Sequence, residues 1–250
     1  MSLPLVILAA AVGAGGVVPV APAHRMLDEL LPIKQDLAAL WNGLAMQYRT
    51  AAPAEFDRSL PPLVFIHGSF HGAWCWDKWL PRFAAALHRP VYAVSLRGTS
   101  GSPMRAQHGL PMGSIRLSQH VEDLKQFVRD ELEKGWGEET MKPPIFVAHS
   151  IGGAILMKYL ETEGVASAAV FVSSVPPAGN KAMIGRFVWS RPGLAWLLTR
   201  GFMMKTAAKN PDHARQLFFD EDMGSEELQV YMEKLQVKWR GNREGEIERE

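Results

Sequence analysis

The sequence lacks most of what marks a metalloprotein, a disulfide-stapled domain or a nucleic-acid binder. Cys75 is the only cysteine among 250 residues, so no internal disulfide can form. No Cys/His cluster has metal-ligand spacing, and no metal is expected. Lys and Arg number 27 against 26 Asp and Glu, a formal net charge of +1, and no basic run stands out from that balance. The electrostatic footprint that phosphate-backbone binding requires is therefore missing, which excludes nucleic acid as a partner. Charged side chains are absent from Met1 to Ala23, and after Ser150 the chain has a single histidine, His213.

Against these absences, hydrophobic residues make up 47% and charged residues 21%, enough to bury an ordinary globular core. The length suits one large domain, or one domain with an insertion. The uncharged leader, residues 1–23, has an apolar stretch from Leu3 to Val12 and ends Ala21-Pro22-Ala23 before His24-Arg25. That pattern is expected of a targeting segment for the secretory pathway or an organelle, although it has no basic n-region. A membrane anchor or an unstructured leader are the other readings, so membrane association through the N-terminus is an expectation. Pro4, Pro19 and Pro22 make a poor spanning helix. Gly13-Ala14-Gly15-Gly16 is a chance likeness to a dinucleotide-binding turn, because Pro19 would break the helix that should follow.

Residues 24–60 read as an N-terminal helix and linker. Leu27, Leu30, Leu31, Leu37, Leu40, Trp41 and Leu44 recur near helical spacing from Met26 to about Tyr48, with Pro32 as a kink. From 61 to 175 strands and helices alternate. Leu63-Val64-Phe65-Ile66 is a wholly apolar run suited to a strand buried on both faces. Further strands are expected at Pro90–Ser95, Ile145–His149 and Ala168–Val172, with helices at Trp76–Leu87, Leu117–Leu132 and from the end of the third strand to Leu160. This alternation implies a mostly parallel sheet flanked by helices. Residues 176–237 are helical in pattern, and 238–250 form a charged tail.

The segment Pro144-Ile145-Phe146-Val147-Ala148-His149-Ser150-Ile151-Gly152-Gly153 joins an apolar strand to a helix through a serine followed by small residues. That is the layout of a nucleophile elbow, which lifts a serine hydroxyl above the sheet edge. Ser150 is thus the candidate nucleophile, and the backbone N–H of Ile151 a candidate oxyanion donor. Directly after the first strand comes His67-Gly68-Ser69-Phe70-His71-Gly72-Ala73-Trp74-Cys75-Trp76, where a loop N–H completes an oxyanion hole in such sites. A resemblance to α/β-hydrolases at this loop implies Ser69 as the donor there, with Phe70 beside it and His71 as a candidate pocket residue. Val94-Ser95-Leu96-Arg97-Gly98 is a third turn at a strand end.

Together these segments resemble the α/β-hydrolase superfamily. The His67-to-Trp76 loop is similar to that of plant methylesterases and hydroxynitrile lyases. The longer match, including Ser173-Ser174-Val175-Pro176-Pro177-Ala178-Gly179-Asn180, resembles a plant and algal plastid-associated hydrolase group. The resemblance implies an α/β-hydrolase fold with a helical cap, a small or medium apolar ester as substrate, no cofactor and a plastid address as one destination for the leader.

The chain departs from that pattern. Ala148 stands where the family usually has Gly. Family members continue past the cap with two more strands, which carry the acid and the histidine of the triad. Neither is legible here, so the last two strands are read as missing and the ester turnover of this chain as doubtful. A non-catalytic ligand- or partner-binding protein of the same fold, or a truncated product, is the alternative. Without those strands the edge at Ala168–Val172 is expected to promote self-association. His67 and His149 read as structural, His71 as a pocket group, and the Asp212-His213 pair as part of the cap. Cys75 reads as a packing residue. Trp189, Trp196, Met203, Met204 and Phe218 would line an apolar pocket or form the cap's own core.

Overall fold

A computed structural model describes residues 31–235, apart from short stretches at 41–42, 100–101, 103–114, 134–135, 137–141, 163, 177–178, 180, 204–205 and 207–208. The expected leader and charged tail lie outside the described residues, as do Ala178, Asn180 and Met204. The described strands are β1 (Lys34–Ala39), β2 (Ala45–Ala51), β3 (Leu63–Ile66), β4 (Val91–Val94), β5 (Ile145–His149) and β6 (Ala168–Val172). They form one sheet in the order β1-β2-β4-β3-β5-β6. The β4-β3-β5-β6 portion is parallel, whereas β1 and β2 add to it antiparallel.

The four strands of the parallel portion fall where the apolar runs place them. Among the described residues the expected N-terminal helix does not form. Residues 34–51 make a hairpin instead, closed by hydrogen bonds from Leu40 N–H to the Leu44 carbonyl (2.8 Å) and from Gly43 N–H to the Leu40 carbonyl (2.9 Å). Gly43 sits at φ +72°, a conformation that glycine adopts without the penalty of a Cβ. The Asn42-Gly43 dipeptide between two short runs is the turn signal that the leucine spacing obscures. Propensity lost to the sheet edge: β2 pairs with β4 in the register Tyr48↔Val94, and Met46 and Ala38 are buried against the core.

Successive residues of β3 point to opposite faces, and both faces are covered. Val64 and Ile66 join Val94, Phe146 and Ala148 beneath α2 (Leu117–Phe127) and α3 (Ile151–Glu161). Leu63 and Phe65 join Val91, Ala93 and Trp76 beneath α1 (Leu80–Leu87). At about 25 cal/mol per Å² of apolar surface, these two layers supply the main stabilisation of the sheet. Residues 128–133 continue α2 as a wider helical turn.

Beyond β6 the chain is helical, as its pattern implies: α4 (Lys181–Ser190), α5 (Pro192–Met203), α6 (Pro211–Phe218) and α7 (Ser225–Leu235). These helices have a small core of their own, in which Ala214, Leu228, Met232 and Leu235 pack on Trp74 from the loop after β3. Trp74 thereby ties the cap to the strand-end loops. In contrast to β3, strand β6 is an outer strand of the described sheet, and Val170, Phe171 and Val172 are exposed.

Candidate active site

Ser150 occupies the turn between β5 and α3 with φ 55° and ψ −121°, a backbone conformation costly for any residue with a Cβ. The turn is held from both sides. Ser150 N–H donates to the Val172 carbonyl at 3.1 Å, and its own carbonyl accepts from Gly153 N–H at 3.0 Å and Val175 N–H at 2.9 Å. Ser174 Oγ donates to the Ala148 carbonyl at 3.1 Å. The segment just after β6 therefore fixes the strained turn, and the extra hydrogen bonds offset its strain of about 1–3 kcal/mol.

Two glycines allow neighbouring backbone to reach this turn. A Cβ on Gly68 would lie 2.8 Å from His149 Nδ1 and 2.9 Å from Ser150 Cβ. A Cβ on Gly152 would lie 2.6 Å from the His67 carbonyl oxygen. The loop after β3 thus lies against Ser150, and α3 starts hard against the end of β3. As the first residue of α3, Ile151 has an N–H with no acceptor inside the helix. Its N–H and the Ser69–Phe70 loop therefore flank the same serine. Phe70 takes φ +68°, a second strained residue in the same place.

His67 is fully buried, and its ring bridges two turns. Nδ1 lies 2.6 Å from the Gly68 carbonyl oxygen, and Nε2 lies 2.9 Å from the Leu96 N–H. A carbonyl can only accept and an N–H can only donate, so Nδ1 carries the proton and Nε2 is the acceptor. Burial pushes the pKa of this imidazole down to about 3, so it stays neutral. The structural reading of His67 therefore holds.

His71 donates from Nδ1 to the Ser69 carbonyl at 2.8 Å. Its ring stacks on Trp74 at 5.4 Å and meets the edge of Phe218 at 5.2 Å. Nε2 is then the unprotonated ring nitrogen, and burial holds the pKa below the usual histidine range. Phe70 also faces Phe218, with ring centroids 6.0 Å apart. Phe218, one of the five expected pocket or cap residues, joins the strand-end loops. Trp189 and Trp196 do not line the site or fill the cap core; they are 92% and 61% exposed.

His149 and His213 are the other two candidate histidines. His149 sits against Gly68 with its pKa lowered by burial. Asp212 and His213 do not form a catalytic pair. Both N–H groups donate to Asn210 Oδ1, which caps α6, and His213 Nδ1 contacts Thr206 Oγ1 at 3.0 Å. Cys75 lies within the apolar clusters, and burial pushes its thiol pKa up, as a packing role requires. Among the described residues no histidine or carboxylate hydrogen-bonds to Ser150, and no group of His, Cys, Asp and Glu could hold a metal ion. Sequence reasoning missed the buried Arg97–Asp123 ion pair, which anchors the turn after β4 to α2. Its only sequence trace is a charged residue on the inward face of an amphipathic helix.

Solved structures share this fold. The chain superposes on a bromoperoxidase from Bacillus anthracis with a TM-score of 0.55 at 17% identity, covering 81% of this chain and 68% of that one. A putative aryl esterase from Burkholderia cenocepacia gives a TM-score of 0.53 at 19% identity, over 81% and 67% of the two chains. At such identities the likeness is one of fold. Among curated proteins, a probable esterase PIR7A from rice (Oryza sativa subsp. indica) is 31% identical over 121 residues, 48% of this chain and 41% of its own length. Methylesterase 10 from Arabidopsis thaliana is 32% identical over 135 residues, 52% of this chain and 43% of its own. The match thus spans less than half the length of either plant relative. Residues 63–245, from β3 through the cap helices, match the alpha/beta hydrolase family, and the chain belongs to it.

Proposed function

We propose that this chain carries the nucleophile half of a serine esterase site for a small or medium apolar ester. Ser150 is the nucleophile, the N–H groups of Ile151 and Ser69 are the oxyanion donors, and Phe70 and His71 border the pocket. The observation that carries this reading is the strained turn at Ser150, braced by Val172 and Val175 and approached closely by Gly68. Strain that neighbouring structure must hold in place is a mark of functional sites. Kinship to plant esterases and methylesterases supports the ester class.

Attack by Ser150 Oγ on an ester carbonyl would move a proton from the hydroxyl to a base and leave an oxyanion facing the two N–H groups. With no base hydrogen-bonded to Ser150 among the described residues, turnover by this chain is expected to be very low. Losing the base in a triad enzyme costs on the order of 10⁶ in turnover. The same observation favours the second reading, a non-catalytic ligand-binding protein of this fold.

Prolonged exposure to a fluorophosphonate, followed by peptide mass spectrometry, separates the two. A slow adduct on Ser150, lost in Ser150→Ala and slowed by competing methyl esters, supports the nucleophile reading. No adduct on Ser150 would leave only the binding reading. Brisk hydrolysis of nitrophenyl esters that vanishes in Ser150→Ala would instead show that a histidine of this chain serves as base, and His71→Ala would test the loop histidine beside Ser69.

A further inference from the structure

From Gly164 to Pro211 the chain contains no Asp or Glu, yet it contains six basic residues: Lys181, Arg186, Arg191, Arg200, Lys205 and Lys209. With 27 basic and 26 acidic residues in all, removing these six leaves 21 against 26. A nearly neutral protein is therefore a net-acidic body with one strongly cationic segment.

That segment contains α4 and α5, which pack on one another. Their apolar side chains do not all turn inward. Ile184 is 55% exposed, Val188 57%, Trp189 92% and Trp196 61%. Ile184 and Val188 are one helical turn apart and share a face, with Trp189 beside them. Arg186 and Arg191 are exposed between and beyond them. The Arg200 guanidinium lies over the Trp196 ring, 5.9 Å from its centroid. Exposed apolar side chains in this number on one pair of helices mark an interaction surface.

We propose that the α4–α5 pair docks on the surface of an anionic lipid bilayer. Arg186, Arg191 and Arg200, in a segment without a carboxylate, complement a plane of negative headgroups, and the net-acidic remainder of the chain would be held away from it. Ile184 and Val188 would enter the acyl boundary. Trp189 and Trp196 would sit at headgroup depth, where indoles concentrate, and the arginines would reach phosphates. No helix among the described residues is long and apolar enough to cross a membrane, so the contact lies in the interface plane. This site is separate from the uncharged leader and does not depend on the esterase reading.

The test uses the full chain with sedimenting vesicles of phosphatidylcholine alone or mixed with phosphatidylglycerol. Binding to the anionic vesicles, weakened by salt and absent from neutral ones, is expected. Arg186→Glu with Arg191→Glu should lower the affinity roughly 30-fold or more, since each basic residue near such a surface contributes about fivefold. Trp189→Ala with Trp196→Ala should also weaken binding, while far-UV circular dichroism stays unchanged. Brominated acyl chains should quench wild-type tryptophan emission on anionic vesicles, which reads the contact without any substitution. Equal binding to neutral and anionic vesicles, wild-type affinity in both double variants, or no quenching would overturn the proposal. A change in oligomer size in these variants without lipid, with no change in vesicle binding, would make the face a protein interface instead.

Discussion

The imidazole of His67 holds the Gly68 carbonyl at 2.6 Å and accepts the Leu96 N–H at 2.9 Å. The Gly68–Ser69 peptide is planar and trans, so fixing its carbonyl also fixes the opposite direction of the Ser69 N–H. A buried, neutral histidine thus aims the loop donor that the esterase reading assigns to the oxyanion. Replacing His67 by Ala would leave the Leu96 N–H buried without an acceptor. A loss of about 1–3 kcal/mol in urea unfolding is expected, together with slower labelling of Ser150 by fluorophosphonate. His67→Gln, which can offer an acceptor, should recover part of the stability. Unchanged labelling in a folded His67→Ala protein would show that the loop is set by other contacts.

Acid should weaken the fold through the same residue. Burial lowers the pKa of His67 to about 3 and that of His120 to about 4, from 6.5 in the unfolded chain. Below 6.5 the unfolded chain binds protons that the native state refuses, so stability is complete above that pH and falls as pH drops toward the folded values. Each residue should cost on the order of 1.4 kcal/mol per pH unit in that window. Urea midpoints at about pH 7.5 and pH 5.5 measure it. His120→Gln should flatten the dependence. A midpoint unchanged between the two conditions would contradict the assignment.

Gly68→Ala isolates the close approach between loop and turn. Its Cβ would stand 2.8 Å from His149 Nδ1 and 2.9 Å from Ser150 Cβ, so loop or turn must shift. A destabilisation of about 1–3 kcal/mol is expected, by overpacking. Ser150 should react more slowly than in the wild type even where the protein remains folded. Wild-type stability and labelling together would mean that the loop stands further from Ser150 than the geometry has it.

The parts of this fold that the sequence discloses are those with strong local signals. Leu63–Ile66 and Ile145–His149 are unbroken apolar runs buried by helices on both faces, and they fall where expected. The Ser150 turn is legible because a strand, a serine and small residues must coincide there. The β1–β2 hairpin is not, because Leu37, Leu40 and Leu44 satisfy a helical period by chance, and only the pairing of β2 with β4 decides against it. Trp189 and Trp196 illustrate the same limit: a large apolar residue signals burial, and only the packed cap reveals that these two face outward.

The clamp between cap and loop gives a further expectation. Phe218 of α6 meets both Phe70 and His71, and Trp74 stacks on Tyr231 of α7 at 5.7 Å. Phe218→Ala removes the cap's contact with the strained Phe70 while leaving the buried Ala214, Leu228 and Met232 in place. A modest loss of about 1–3 kcal/mol is expected, below that of a fully buried Phe. Hydrogen exchange should rise in the loop after β3 as well as in α6. A rise confined to α6 would show that the cap does not brace the loop.

The outer strand of the sheet carries the last expectation. In β6, Ala168-Ala169-Val170-Phe171-Val172 has neither charge nor proline, and Val170, Phe171 and Val172 are 48%, 42% and 41% exposed. Native proteins usually blunt such an edge with a charge, a proline or a covering segment. Among the described residues β6 pairs with β5 on one side only. Backbone groups on its other side can template pairing with a second chain, and the low charge and high β-propensity of the segment favour it. Light scattering after size exclusion should therefore find the 250-residue chain self-associated, increasingly so with concentration. Val170→Lys should shift it toward monomer, because a charge at the edge opposes docking of a further strand while leaving the β5–β6 ladder intact. A wild-type chain that stays monomeric across the concentration range would mean that the edge is closed by residues outside the described set, and the variant would then change nothing.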